Sequence, residues 1–251
     1  MKNKKQREIY KYSKRDRELY KEMIEFQTSN MVFYLSNLGR TKEKIDEINM
    51  TNLDEIKEKG LELNIFLHGI LQNYHSFLMS TIKWFEKKGT IIIPVGYNFR
   101  EDLDLSSKYV KQTVDSFMQI SNKSKINIIG VSYGGLVCRY YAEELNGKEF
   151  IDKLITVGTP YCPVSKNNLA YWFSKFTGGN PDIDNKYIES MKKINSVKNH
   201  LAIRLLDDLI MPIDKIECDN VREVFVRGGH HPSSHHPERL EVILKYLNEE
   251  L

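Results

Sequence analysis

One stretch constrains this chain more than any other: Ile126-Asn127-Ile128-Ile129-Gly130-Val131-Ser132-Tyr133-Gly134-Gly135-Leu136. Its β-branched run, broken only by Asn127, predicts a short strand buried on both faces, as in a parallel sheet. Leu136, Val137, Tyr140, Tyr141 and Leu145 follow at helical spacing. A strand that runs straight into a helix leaves room only for a tight turn. Gly130 and Gly134 fall where the two backbones nearly touch, and a side chain there would collide. Ser132 sits at the apex, in a strained conformation that projects its hydroxyl above the sheet edge. The helix start directs backbone N–H groups towards the same point. The plainer alternative is an ordinary glycine-containing strand–helix turn.

The rest of the chain predicts the sheet that such a turn needs. From residue 61 onward, β-branched or apolar runs alternate with helical patterns. Runs at Leu63–Leu67, Thr90–Ile93 (stopped by Pro94), Lys153–Gly158, Leu201–Leu206 and Val221–Val226 are separated by helices at Ser76–Lys88, after Ser106 or Ser107, after Ser132, and at Glu238–Leu247. This order predicts an α/β fold: a mostly parallel sheet with helices on both faces, over residues 61–251. Residues 161–200 are too long for a plain connection and carry Tyr171-Trp172-Phe173 with Phe176, then Gly178-Gly179. They read as a lid-like insertion, or as a helix whose aromatics only fill core. Residues 1–60 read as a helical N-terminal extension.

Charge is spread unevenly. The net charge is +3, yet residues 1–21 hold nine Lys and Arg against three Asp and Glu, leaving 28 basic and 31 acidic residues elsewhere. The extension reads as helices docked on the main domain, or as a basic amphipathic arm in peripheral contact with an anionic membrane. Acids interleave with the bases and no nucleic-acid motif is present, so no nucleic-acid partner is expected. No apolar run is long enough for a membrane span and no secretory signal is evident. Cys138, Cys162 and Cys218 are too few and too scattered for a disulfide framework or a zinc site, so a cytoplasmic location is expected.

A serine hydroxyl needs a base, and the base an orienting acid. Both are available in the order Ser…Asp…His. Asp207-Asp208 lies just past one strand, in Leu205–Pro212. His230-His231 lies just past the last strand, in Val226–His231. Loops at the carboxyl ends of strands are where open α/β sheets build their sites. His230, His231, His235 and His236 are also a composition a metal ion can use. No carboxylate or cysteine nearby completes such a set, and neither a metal nor a cofactor is expected. His75 and His200 read as surface or packing residues.

With these segments in place, the chain resembles the α/β-hydrolase superfamily and, within it, compact bacterial-type lipases and esterases, over roughly residues 61–250. The segments that carry the resemblance are His68-Gly69, the Gly130-x-Ser132-x-Gly134 elbow, Gly158-Thr159-Pro160, Asp208-Leu209-Ile210-Met211-Pro212, and Gly229-His230 with Pro237 seven residues on. The resemblance implies Ser132 as nucleophile. Its registers favour Asp208 over Asp207 and His230 over His231. It also implies the backbone N–H groups of Ile70 and Tyr133 as oxyanion donors. His68, Gly69, Tyr171, Trp172 and Phe173 are the expected substrate contacts. The chain departs from the family in lacking an evident amino-terminal hairpin, in having His68-Gly69-Ile70-Leu71 rather than a glycine-rich segment, and in having Tyr161-Cys162 where lipases usually carry histidine and glycine. The expected substrate is a small-molecule or lipid carboxylic ester with a hydrophobic moiety. The alternatives are thioester, amide or acyl-transfer chemistry on the same residues, or a catalytically silent fold that binds a surface.

Overall fold

In the computed structural model, residues 8–9, 41–70, 76–208, 210–211, 213–230 and 237–251 are described. Most of the first forty residues of the expected helical extension, and with them most of the basic arm, lie outside them, as do His75, His231, His235 and His236.

The strand runs read from the sequence form one parallel sheet. Its strands are β1 (Glu8–Ile9), β2 (Asn64–Leu67), β3 (Ile92–Val95), β4 (Ile126–Val131), β5 (Ile151–Val157), β6 (Asn199–Leu205) and β7 (Val221–Val226), in the spatial order β1-β7-β6-β5-β4-β2-β3. Every pairing is parallel. The helices are α1 (Thr41–Lys59), α2 (Ser76–Glu86), α3 (Leu103–Ser121), α4 (Tyr133–Glu144), α5 (Leu169–Phe176), α6 (Pro181–Met191) and α7 (Pro237–Leu247).

The period-two alternation of a strand divides the core into two layers. Ile126 and Ile128 of β4 face one way, with Leu53 and Ile56 of α1, Val110 and Val114 of α3, and Val137 and Tyr141 of α4. Ile129 and Val131 face the other, with Ile82 and Phe85 of α2 and Leu240, Ile243 and Leu247 of α7. This double coverage is why β4 carries no exposed residue. Asn127, its single polar residue, donates its amide to Asn64 Oδ1 at 2.9 Å and to Glu62.

Three local readings change. The extension is not wholly helical: Glu8–Ile9 adds a two-residue strand beside Val224 and Phe225 of β7, while helix is described at Thr41–Lys59. Pro94 does not stop β3, which runs through it to Val95. The tolerance follows from position, because β3 lies at the open end of the strand order, where a missing backbone donor breaks no second ladder. Asn49 of α1 covers that edge by donating to the Pro94 carbonyl at 3.1 Å. Finally, α3 starts before Ser106 and Ser107. Asp102 caps it, accepting from the Leu105 N–H at 2.9 Å, and the two buried serines donate inward to the carbonyls of Asn98 and Val137. Among the described residues no helix is long and apolar enough to cross a membrane.

Candidate active site

The turn between β4 and α4 is set by backbone crowding. A Cβ on Gly130 would stand 2.5 Å from the Gly134 carbonyl oxygen, and one on Gly134 would stand 2.5 Å from that of His68. Neither contact is compatible with a side chain, so both glycines are obligatory. Ser132 itself takes φ 53° and ψ −119°, a conformation that a non-glycine residue holds only under constraint. The constraints are visible: the Ser132 N–H donates to the Val157 carbonyl at 2.8 Å, and Thr159 Oγ1 donates to the Ser132 carbonyl at 3.1 Å. The Gly158-Thr159-Pro160 segment thus buttresses the turn from the neighbouring strand.

Two later loops meet the serine. His230 Nε2 lies 2.8 Å from Ser132 Oγ, and His230 Nδ1 lies 2.7 Å from Asp208 Oδ2. Asp208 is held on its other oxygen, where Oδ1 accepts from the Ile210 and Met211 N–H groups at 3.0 and 2.8 Å. Its side chain is 2% exposed. Asp207, its exposed neighbour, instead accepts from the Gly228 N–H and so closes the loop that carries the histidine. Arg239 of α7 adds a brace that no sequence motif signals: its guanidinium donates to the Gly229 carbonyl at 2.8 Å.

A cavity of about 280 Å³ opens above the serine. Gly69, Ile70, Ser132, Tyr133 and His230 lie at its sheet side; Val164, Ala170, Tyr171, Phe173, Ser174 and Ile188 line it from the insertion. Tyr133 opens α4, so its N–H has no acceptor within the helix. It and Ile70 both face the cavity beside Ser132.

The expected substrate contacts divide. Gly69, Tyr171 and Phe173 line the cavity. His68 does not: it is buried, stacked on Tyr97 with ring centroids 4.6 Å apart, and its carbonyl abuts Gly134. It supports the Gly69-Ile70 turn from behind. Trp172 also points away from the cavity, 44% exposed, with its indole N–H donating to the Lys166 carbonyl. Consecutive residues of a helix point about 100° apart, so the three aromatics cannot share one direction. The buried Tyr171 and the partly exposed Phe173 both reach the cavity, and Trp172 does not.

Sequence reasoning missed Asp184. This cavity-lining residue on α6 is 4% exposed and accepts from the Leu103 N–H and the Tyr133 hydroxyl. Burial pushes its pKa up to about 7, and nearby Asp102 adds to the shift. An Asp near a helix start reads from sequence as a dipole partner, so only the contact across the fold could single it out. His200 is buried away from the cavity. It takes the Tyr161 hydroxyl on Nε2, faces Asn195 Oδ1 with Nδ1, and is held neutral by burial and by Arg139. Among the described residues no group of three His, Cys, Asp or Glu gathers as a metal site.

Comparison with known proteins agrees with this architecture. The family model described as palmitoyl protein thioesterase matches residues 64–204, a span that includes Ser132 and ends before Asp208 and His230. No curated protein sequence matches the chain. Among solved structures, the chain is similar to metagenome-derived lipolytic enzymes described as LipS and LipT, at TM-score 0.58 and 11% identity over 75% of this chain and 94% of that one. It is also similar to Est1E from Butyrivibrio proteoclasticus, at TM-score 0.54 and 15% identity over 75% and 88%. The lin2722 gene product of Listeria innocua gives TM-score 0.53 and 17% identity over 75% and 94%. At such identities these likenesses speak to the fold.

Proposed function

Because the chain belongs to the palmitoyl protein thioesterase family and carries the α/β-hydrolase fold, we propose that Ser132, His230 and Asp208 hydrolyse a carboxylic ester with a hydrophobic moiety. The coarser statement, a hydrolase of the esterase, lipase and thioesterase kind, follows from the family itself. The observation that carries the finer reading is the 2.8 Å contact between Ser132 Oγ and His230 Nε2 at the floor of an apolar cavity.

In this reading Ser132 Oγ attacks the carbonyl carbon and passes its proton to His230 Nε2. Asp208 accepts from Nδ1–H and stabilises the imidazolium. The negative oxygen forms between the N–H groups of Ile70 and Tyr133, donors of a kind typically worth about 3 kcal/mol each in the transition state. The imidazolium then protonates the leaving group, and water releases the acid from the acyl-enzyme by the same steps in reverse. A thioester is the second reading, favoured by the family's description, and the same groups serve it because a thiolate leaves more readily than an alkoxide.

The test is fluorophosphonate labelling of the full chain, then turnover of matched alkyl esters and alkyl thioesters. Labelling at Ser132 with faster ester turnover supports the first reading, and faster thioester turnover moves the assignment to the second. A protein inert to both probes overturns the enzyme reading.

The proposal extends to surroundings. Leu169, Trp172 and Phe176 are exposed on α5, the helix whose Tyr171 and Phe173 line the cavity, Phe176 to 84%, with Lys166 and Lys175 beside Tyr171 and Trp172. This supports peripheral contact with an anionic lipid surface, where basic residues contribute about 1 kcal/mol each. Sedimentation with anionic against neutral vesicles tests it, and equal or absent binding sinks it. Three free cysteines, two of them buried, suit a reducing compartment such as the cytoplasm.

A further inference from the structure

Asp184 is the only carboxyl among the described residues that line the cavity, and the proposed chemistry does not use it. Its two hydrogen bonds, from the Leu103 N–H at 3.2 Å and the Tyr133 hydroxyl at 3.3 Å, both end on Oδ1. Oδ2 accepts from no described residue, and no described cation forms an ion pair with this carboxyl. Burial pushes its pKa up to about 7, as expected for a carboxyl in an apolar wall with Asp102 as its charged neighbour.

The surrounding polar groups do not complete it. The Asn185 amide is closed on Val164, taking its N–H at 2.7 Å and donating to its carbonyl at 2.9 Å. The Tyr171 hydroxyl is turned to Asp182. Ser174, 8% exposed and also on the cavity wall, makes no side-chain hydrogen bond to a described residue. Neither Asp184 Oδ2 nor Ser174 Oγ is among the unpaired polar atoms sealed from solvent, so both oxygens stay open on residues that line the cavity, where an entering ligand donor would find an acceptor in an otherwise apolar wall. A purely structural role for Asp184, tying α6 to the start of α3 and to Tyr133, uses Oδ1 alone.

We propose that Asp184, assisted by Ser174, forms a polar subsite within the apolar cavity that selects substrates bearing a hydrogen-bond donor, a protonated amine or a hydroxyl, on the part that enters beneath the insertion. The catalytic side of this inference rests on the hydrolase reading of Ser132. The subsite lies close to the reacting centre, because the Tyr133 side chain spans from the residue after Ser132 to Asp184. A donor a few bonds from the scissile carbonyl therefore meets it, while a plain alkyl chain leaves the carboxyl unpaired.

The experiment compares p-nitrophenyl esters of hexanoate, ω-hydroxyhexanoate and ω-aminohexanoate on the full chain and on Asp184→Asn and Ser174→Ala. Asparagine keeps an Oδ1 acceptor for both existing bonds. The amino-to-alkyl ratio of kcat/KM should fall about tenfold in Asp184→Asn, equivalent to about 1.4 kcal/mol. Ser174→Ala should lower chiefly the hydroxy-to-alkyl ratio. Ratios unchanged in Asp184→Asn, with alkyl turnover intact, overturn the subsite and leave the hydrolase reading standing. Calorimetry on Ser132→Ala supplies a readout that needs no turnover. Hexylammonium should bind more tightly than hexanol, and adding Asp184→Asn should abolish the difference. Equal binding overturns the subsite. Absence of both turnover and labelling would instead defeat the hydrolase reading, with calorimetry still deciding the subsite.

Discussion

The serine-bearing turn and the insertion above it are built on opposite terms. At the turn, backbone meets backbone: Gly130, Gly134 and the His68 carbonyl leave no space for a single added carbon. In the insertion, α5 is eight residues long and exposes four of its apolar side chains, Leu169, Trp172, Phe173 and Phe176. The insertion is held together by side-chain bonds between its own parts, such as Tyr171 to Asp182 and Asn185 to Val164. The first region leaves no room for a side chain at either glycine and fixes where Ser132 stands. The second lines the cavity above it with side chains rather than backbone.

The sharpest way to break this division is to remove the proposed nucleophile itself. Ser132→Ala should cut ester turnover at least about 10⁴-fold with the fold unchanged, with His230→Ala close behind. Asp208→Ala should cost far more than Asp207→Ala, because only Asp208 bonds the histidine. The reverse ranking would move the acid to its neighbour. Next comes the crowding: Gly134→Ala should destabilise the protein by about 3 kcal/mol or more, or prevent its folding, read by denaturant unfolding. A tolerated alanine would show the turn to be looser than its backbone contacts require.

A smaller effect links the two regions through Asp184, which joins α6 to Tyr133. Its pKa is raised in the folded protein from 3.8 to about 7, so the folded state holds a proton that the unfolded chain has released. The sign is then definite: its stabilising contribution is complete below about pH 4 and is lost as pH rises through about 7. Asp184→Asn should flatten the decline in Tm across that window, and an identical slope in the variant would refute the burial argument.

The insertion should give the mildest effects, sorted by direction. Phe173→Ala, on the cavity wall, should lower kcat/KM for octanoyl esters about tenfold more than for acetyl esters. Trp172→Ala, on the outer face, should change either ester by less than about twofold. Equal losses in the two variants would mean that α5 acts as a unit rather than through one face.

Local chemistry was sufficient for much of this. β-branched runs alternating with helical patterns signal a covered parallel sheet through local periodicity, and Gly130 is required by Gly134, a near neighbour in the chain, although the His68 carbonyl that crowds Gly134 is not one. The loop registers that favour Asp208 and His230 select residues that the folded chain joins in series, Asp208 at 2.7 Å from His230 and His230 at 2.8 Å from Ser132. Their chemistry remains the proposal to be tested.

Other features depend on residues far apart in the chain. Pro94 is permitted only because β3 lies at the edge, and strand order is not written in any one strand. Consecutive aromatics at 171–173 give no periodic signal, so packing alone chose Phe173 for the cavity and Trp172 for solvent. Asp184 gains its environment from Leu103 and Tyr133, 81 and 51 residues away. Periodicity and local motifs report a residue's neighbours in sequence, whereas desolvation and pairing depend on neighbours in space, which only the closed fold supplies.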